Sequence, residues 1–229
     1  MTSEGPAAPF LVARVGAEGD PSSYLELRRE GEREGRGVRC DLSTISLRGG
    51  RSEARGMPVC RAMGDARTVV DATAGLLGDA FLLAAAGFEV VAIERSPLIH
   101  AIAADGLARA MRDARLKELI GDRLRLVHAD ARDWLRTRAG TPEAPDAVLI
   151  DPMFPPKKKS SALPRKEMVA LREVVGADVD AAELLAMARA SARHRVILKR
   201  ADDSTRLGEP DWTIEGTTIR FDVWRGSTA

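Results

Sequence analysis

The sequence has 229 residues, 45% hydrophobic and 30% charged, with 35 basic against 34 acidic side chains and a formal net charge of +1. A chain of this size supports one main hydrophobic core, and its near-neutral balance leaves any attraction to nucleic acid to local basic patches. No apolar run approaches the roughly 20 residues that span a bilayer, the first residues lack the basic-then-apolar form of a secretion signal, and Cys40 and Cys60 have no metal-ligand spacing, which fits a reducing cytoplasm and no disulfide framework.

Met1 to Pro9 is small, polar and proline-containing, which predicts a frayed terminus. Three β-like runs follow: Phe10 to Val15, Tyr24 to Leu27 and Val38 to Leu47, separated by Gly, Asp and charge-rich turns. They predict a small β-rich appendage over residues 1–55, ahead of a main domain over residues 56–229. Its last segment, Arg48 to Arg55 (RGGRSEAR), reads either as a flexible linker or as a basic loop that touches phosphates through Arg51.

From Thr68 onward the pattern alternates between strands and helices. Val69 and Val70 lead into Asp71, and an apolar helix from about Asp79 to Ala86 is closed by Gly87. A second strand, Glu89 to Ile93, ends in Glu94, and Pro97 opens a helix whose apolar spacing runs to Leu119. A third strand, Leu124 to His128, leads to Asp130 and a short helix through Trp134; a fourth, Ala147 to Ile150, ends in Asp151. Helical stretches near Glu167 to Val174 and Asp180 to Ala192 precede a fifth strand, Arg195 to Leu198. The tail, Trp212 to Ile214 and Thr218 to Trp224, reads as an antiparallel hairpin. Alternating strands and helices call for right-handed crossovers and a mostly parallel sheet covered on both faces. With the terminal hairpin, the expected fold is α/β: a Rossmann-like, seven-stranded sheet of the kind found in class I methyltransferases.

Chemistry in such a sheet collects beyond the carboxyl ends of the strands. Asp71-Ala72-Thr73-Ala74-Gly75-Leu76-Leu77-Gly78-Asp79 places glycines between a strand and a helix, where the backbone approaches a ligand closely and the helix start offers free N–H groups. It is not G-x-G-x-x-G, and Asp79 at the helix start repels a pyrophosphate while suiting an amino group or a sulfonium. Glu94 falls where an acid accepts from ribose hydroxyls, and Asp130 where one receives an adenine amino group. Asp71, Glu94, Asp130 and Asp151, closing four consecutive strands, outline a cleft for an adenosine bearing positive charge, which is S-adenosylmethionine. His100, His128 and His194 are scattered over separate elements and suggest neither a metal nor a catalytic triad.

The stretches VVDATAGLLGDAFLLAAAGFEVVAIERSP, DGLARA, DAVLIDPMFPPKKKSSALPRKEM and VILKR resemble the RsmJ family, bacterial methyltransferases that modify the exocyclic N2 of a guanine in 16S ribosomal RNA. The resemblance runs in order from Leu25 to Trp224. It implies cofactor contacts at Asp79, Glu94, Arg95 and Asp151, with Asp130 and Ala131 opposite the family's usual pair of serines. The chain departs from the family at Leu77-Gly78, where Gly-Arg is usual. The implied partner is 16S ribosomal RNA or the 30S subunit, and the chain is expected to act as a cytoplasmic monomer without a metal.

The chemistry follows from the residues as well. A guanine amine has its lone pair delocalised into the ring, so acceptors must hold its N–H groups and aim the nitrogen at the methyl; Asp151 and the Pro152 carbonyl suit this, and Phe154 suits stacking on a flipped base. Lys157, Lys158, Lys159, Arg165 and Lys166 follow the D-P-M-F loop where phosphates of the substrate would lie. Lys199 and Arg200, ending the fifth strand, either touch substrate or only solvate the strand end. The same acid-proline loop also suits N6-adenine or N4-cytosine methylation, and a non-catalytic adenosine- or RNA-binding module is the reading from another class.

Overall fold

The computed structural model describes residues 9–152, 166–175, 180–201, 206–216 and 219–227. Its elements in chain order are β1 (Phe10–Val15), β2 (Tyr24–Arg29), α1 (Gly50–Gly56), α2 (Pro58–Ala62), β3 (Thr68–Asp71), α3 (Gly78–Ala86), β4 (Glu89–Glu94), α4 (Pro97–Arg112) and α5 (Ala114–Ile120). There follow β5 (Leu124–His128), α6 (Ala131–Arg136), β6 (Ala147–Ile150), α7 (Lys166–Val175), α8 (Ala181–Ser191), β7 (Arg195–Ala201), β8 (Trp212–Glu215) and β9 (Ile219–Arg225).

The main sheet has seven strands in the order β5-β4-β3-β6-β7-β9-β8. β3 to β7 pair in parallel, while β9 runs antiparallel between β7 and β8. Parallel strands are covered on both faces and so need apolar side chains on both; all four residues of β6 are 0% exposed. The chain leaves β3 toward β4 on one side and returns to β6 on the other. That reversal opens a crevice beyond the carboxyl ends of β3 and β6, the position at which open α/β sheets bind ligands.

Separate apolar clusters fill the two sides of the sheet. One joins α1, α2, α3 and α5 through residues such as Ala54, Val59, Phe81 and Leu116; the other joins α6 and α8 through Leu135, Leu184 and Ala188. A third seats the β1–β2 hairpin, through Leu27, on Ile99 and Ile102 of α4 and on Ala170 and Leu171 of α7. Arg29 of β2 also pairs with Glu173 of α7. The hairpin thus packs on the helix that follows the D-P-M-F loop in sequence.

Four local expectations are corrected. Val38 to Leu47 is not a strand: Val38 makes one bridge with Leu27, and the Asp41 carboxylate then accepts from the Ser43 N–H and hydroxyl, winding Leu42–Thr44 into a 3-10 turn. Arg48 to Arg55 is not a linker but mostly helix α1, which buries Ala54 against the core and whose Arg55 donates to the Ala86 carbonyl. The long helix from Pro97 breaks at Asp113, whose carboxylate caps α5 by accepting from the Leu116 N–H at 3.0 Å. The fifth strand continues to Ala201 because β9 pairs with it along its whole length. Among the described residues no helix is long and apolar enough to cross a membrane.

Candidate functional site

A cleft of about 590 Å³, counting its open mouth, lies beyond the carboxyl ends of the strands. It is lined by Thr73, Gly75, Glu94, Arg95, Asp130, Ala131, Asp151 and Pro152, all expected from the sequence. Ala72, Ile93, Arg132, Val175, Asp180, Ala181 and Leu184 complete the lining and were not expected. The last four come from the end of α7 and the start of α8, and no local pattern in the chain signals that these helices fold over this crevice. Ile93 and Ala72 had a legible signal, since each adjoins a strand-end acid.

The loop after β3 is tied to both neighbouring strands. The Ala74 N–H donates to the Ile93 carbonyl at 3.0 Å, and the Gly75 N–H donates to Glu94 Oε2 at 3.0 Å. The other oxygen of Glu94 accepts from the Ser96 N–H at 2.7 Å. Glu94 is 6% exposed, so its carboxylate is held in place by backbone donors at the edge of the cleft. Gly75 has φ of +51° and Leu77 φ of +64°, the only positive φ at a non-glycine among the described residues. Leu77 is fully buried, and its left-handed backbone turns the chain into Gly78, the first residue of α3.

On the β6 side, the Asp151 N–H donates to Thr73 Oγ1 at 2.7 Å, and Pro152 is buried. Lys199, near the end of β7, places its ammonium 2.5 Å from Asp79 Oδ2 and 3.1 Å from Asp151 Oδ2. Burial works against that charge, but Asp151 and Asp79 hold the ammonium well above the usual lysine range. Asp71 lies beneath them at 3% exposure, accepting from the Thr73 N–H at 3.2 Å. Burial, then the neighbouring charge of Asp79 and that of Asp151, push its carboxyl up to about 8, against the Thr73 N–H and Lys199. Asp71 and Ala74 are buried and Asp79 is turned to Lys199, so none of the three lines the cleft, while Gly78, at the start of α3, is exposed and lies outside the lining. Arg200 does not face the cleft: its guanidinium is buried against the Asp222 carboxylate of β9.

Asp130 lies two residues past β5 and caps α6. Its carboxylate takes three hydrogen bonds from Arg132, from the backbone at 2.9 Å and the guanidinium at 3.0 and 2.6 Å, and the side-chain bonds hold it below the usual carboxylate range. Arg132 also reaches Glu183 and Asp180, and Arg95 meets Asp180 at 2.6 Å. A chain of ion pairs thus joins the ends of β4 and β5 to the start of α8 at the rim. The i, i+2 pairing of Asp130 with Arg132 has no signature in sequence spacing.

His100 and His128 come from separate elements, α4 and β5, but their ring centroids lie 4.9 Å apart, and His128 Nε2 is 3.2 Å from the Arg95 carbonyl. Among the described residues no group of three His, Cys, Asp or Glu side chains is arranged to hold a metal ion. Arg51 is exposed and is not brought to the cleft; its guanidinium lies beside Gly87, at the far end of α3. Phe154, Lys157, Lys158, Lys159 and Arg165 lie outside the described residues, as does the side chain of Lys166.

A family profile described as a putative SAM-dependent methyltransferase matches residues 18–226. The ribosomal RNA small subunit methyltransferase J of Chromobacterium violaceum is 46% identical over 183 residues, covering 74% of this chain and 68% of that protein. The protein of the same name from Aeromonas hydrophila subsp. hydrophila is 39% identical over 237 residues, covering 97% and 94%. Among solved structures, a SAM-dependent methyltransferase from Neisseria gonorrhoeae has a TM-score of 0.67 at 25% identity, over 90% of this chain and 81% of that one.

Proposed function

The chain belongs to the SAM-dependent methyltransferase family that includes ribosomal RNA small subunit methyltransferase J, and from that membership we propose that it methylates the exocyclic N2 of a guanine in 16S ribosomal RNA. S-adenosylmethionine is the cofactor, and the residues present fit it. Glu94, beside Gly75, offers an oriented carboxylate to ribose hydroxyls, and the cleft it lines also presents the Asp130 and Asp151 carboxylates, paired with Arg132 and Lys199. A side chain at Gly75 would meet no atom closer than 3.9 Å, so the backbone there borders open space.

The observation that carries the reading is the placement of Asp151 and Pro152. They lie immediately beyond β6, in the same cleft as Gly75 and Glu94, with the Asp151 backbone anchored to Thr73. When bound, the cofactor supplies an electrophilic methyl: the amine lone pair forms the new N–C bond as the C–S bond breaks and its electrons pass to sulfur. Asp151 and the Pro152 carbonyl accept the amine N–H bonds and aim the nitrogen, a positioning effect that supplies up to about 7 to 11 kcal/mol in favourable cases. The nitrogen becomes acidic once methylated and sheds a proton to Asp151 or to water, so no strong base is required. Phe154 is assigned to stacking on the flipped base, and Lys157, Lys158, Lys159, Arg165 and Lys166 to the phosphates that lead to it. Arg51 belongs to this set only if the RNA reaches the far end of α3.

Incubation with methyl-labelled cofactor and 16S ribosomal RNA or 30S particles from cells lacking the activity, followed by nucleoside digestion, tests the proposal. Label on guanine N2 is expected. Label on adenine, on cytosine or on no nucleoside would overturn it.

A further inference from the structure

Asp151 is held from two directions. Its backbone N–H is fixed by Thr73 Oγ1 at 2.7 Å, while its side chain, 42% exposed, meets the Lys199 ammonium at 3.1 Å. Lys199 is only 19% exposed and comes from β7, a strand on the opposite side of β6 from the cofactor loop. Its second partner, Asp79 at 2.5 Å, belongs to the first turn of α3, which follows that loop. One cation thus ties the base side of the cleft to the cofactor side.

We propose that Lys199 is a positioning residue for methyl transfer: its ammonium keeps the Asp151 carboxylate ionised and orients it as the acceptor of the target amine. The proposal rests on the RNA-amine reading of the site. Without that cation the Asp151 carboxylate would face the charge of Asp79, with the buried Asp71 of β3 close by. With Lys199 between them, Asp79 and Asp151 are both compensated, and Oδ2 of Asp151 is held by the ammonium.

Lys199 does not take the proton released on methylation. Asp79 and Asp151 stabilise its charged form, so the proton passes from the methylated nitrogen to the Asp151 carboxylate and then to water. The division of labour is that Lys199 sets the charge and direction of Asp151, and Asp151 meets the substrate.

The test compares wild type with Lys199→Met and Lys199→Arg. For Lys199→Met, kcat on RNA is expected to fall roughly 100-fold, the loss that a misplaced reacting group brings, with KM for RNA little changed. The acid limb of its pH profile should move up by about 1 unit or more, and Lys199→Arg should restore most of the rate and the original limb. Independently of activity, carbon NMR titration of the Asp151 carboxyl in the cofactor-free protein should show a higher midpoint in Lys199→Met. If that variant does not fold, the wild type alone decides: the Lys199 ammonium signal should respond at the Asp151 midpoint. A Lys199→Met enzyme with the wild-type rate and pH profile, or carboxyl and ammonium signals that titrate independently, would overturn the proposal. Failure of the RNA reading shows differently, as absent RNA methylation by the wild type with the NMR coupling intact.

Discussion

Glu94 Oε2 lies 3.0 Å from the backbone nitrogen of Gly75, so the last residue of β4 holds the glycine loop that follows β3. The contact explains how a short loop with no phosphate to wrap keeps its shape. The carboxylate braces the loop through the Gly75 and Ser96 N–H donors while lining the cleft.

Replacing Glu94 should therefore affect the cofactor more than the fold. Glu94→Gln puts an amide N–H against a backbone N–H, and a hydrogen bond to a charged group contributes about 1.5 to 3 kcal/mol. Affinity for S-adenosylmethionine, measured by calorimetry, should fall at least about tenfold. An unchanged dissociation constant would remove Glu94 from the ligand set.

Asp71 gives a pH signature. Its carboxyl is raised to about 8, by burial first and then by Asp79 and Asp151, whereas an unfolded aspartate titrates near 3.9. Between those values the folded protein carries a proton that the unfolded chain has released, so this contribution to stability is full below about pH 4 and is lost as pH rises through about 8. From pH 5 to 8 the wild type should lose on the order of 3 to 4 kcal/mol relative to Asp71→Asn, in urea unfolding across that range. Parallel pH curves for the two proteins would show that Asp71 is ionised in the fold.

Most of the parallel sheet was legible in the sequence, because fully buried strands such as Ala147–Ile150 write themselves as unbroken apolar runs ending in an acid. The strand-end acids were legible for the same reason. The helical break at Asp113 was not, since apolar spacing runs on across it from Met111 to Leu116 and Leu119. Helix α1 hid in an arginine- and glycine-rich segment whose buried contact is a single alanine, Ala54. Within the site, Lys199 looked like a strand-end charge with two readings. Its place between Asp79 and Asp151 depends on which strand lies beside β6, a fact of topology. The same holds for the rim pairs from Asp130 to Asp180.

Leu77 carries a left-handed backbone, with φ of +64°, a conformation that usually falls to glycine. A left-handed backbone costs a residue with a Cβ about 1 to 2 kcal/mol, yet the side chain is fully buried, and removing it costs about 2 to 5 kcal/mol. Both Leu77→Ala and Leu77→Gly should destabilise the protein. Leu77→Gly should be the milder by roughly 1 kcal/mol, the reverse of the order at ordinary helical sites. Chemical denaturation of the two variants checks it, and a more stable alanine variant would contradict the strain.

The lysine run after the D-P-M-F loop is proposed to hold RNA. Replacing Lys157, Lys158 and Lys159 together by alanine should weaken RNA binding and flatten its logarithmic salt dependence by about 0.7 for each phosphate that is no longer neutralised. Cofactor affinity should stay the same. A salt slope equal to that of the wild type would mean that these lysines are only solvated.

A structure of the protein with sinefungin, whose amine stands where the transferable methyl would be, decides whether cofactor and target amine meet at the end of β6. Ribose hydroxyls are expected on Glu94, and the amine is expected to point toward Asp151 and Pro152. A ligand seated with its amine toward α8, or with its ribose away from Glu94, would contradict that arrangement.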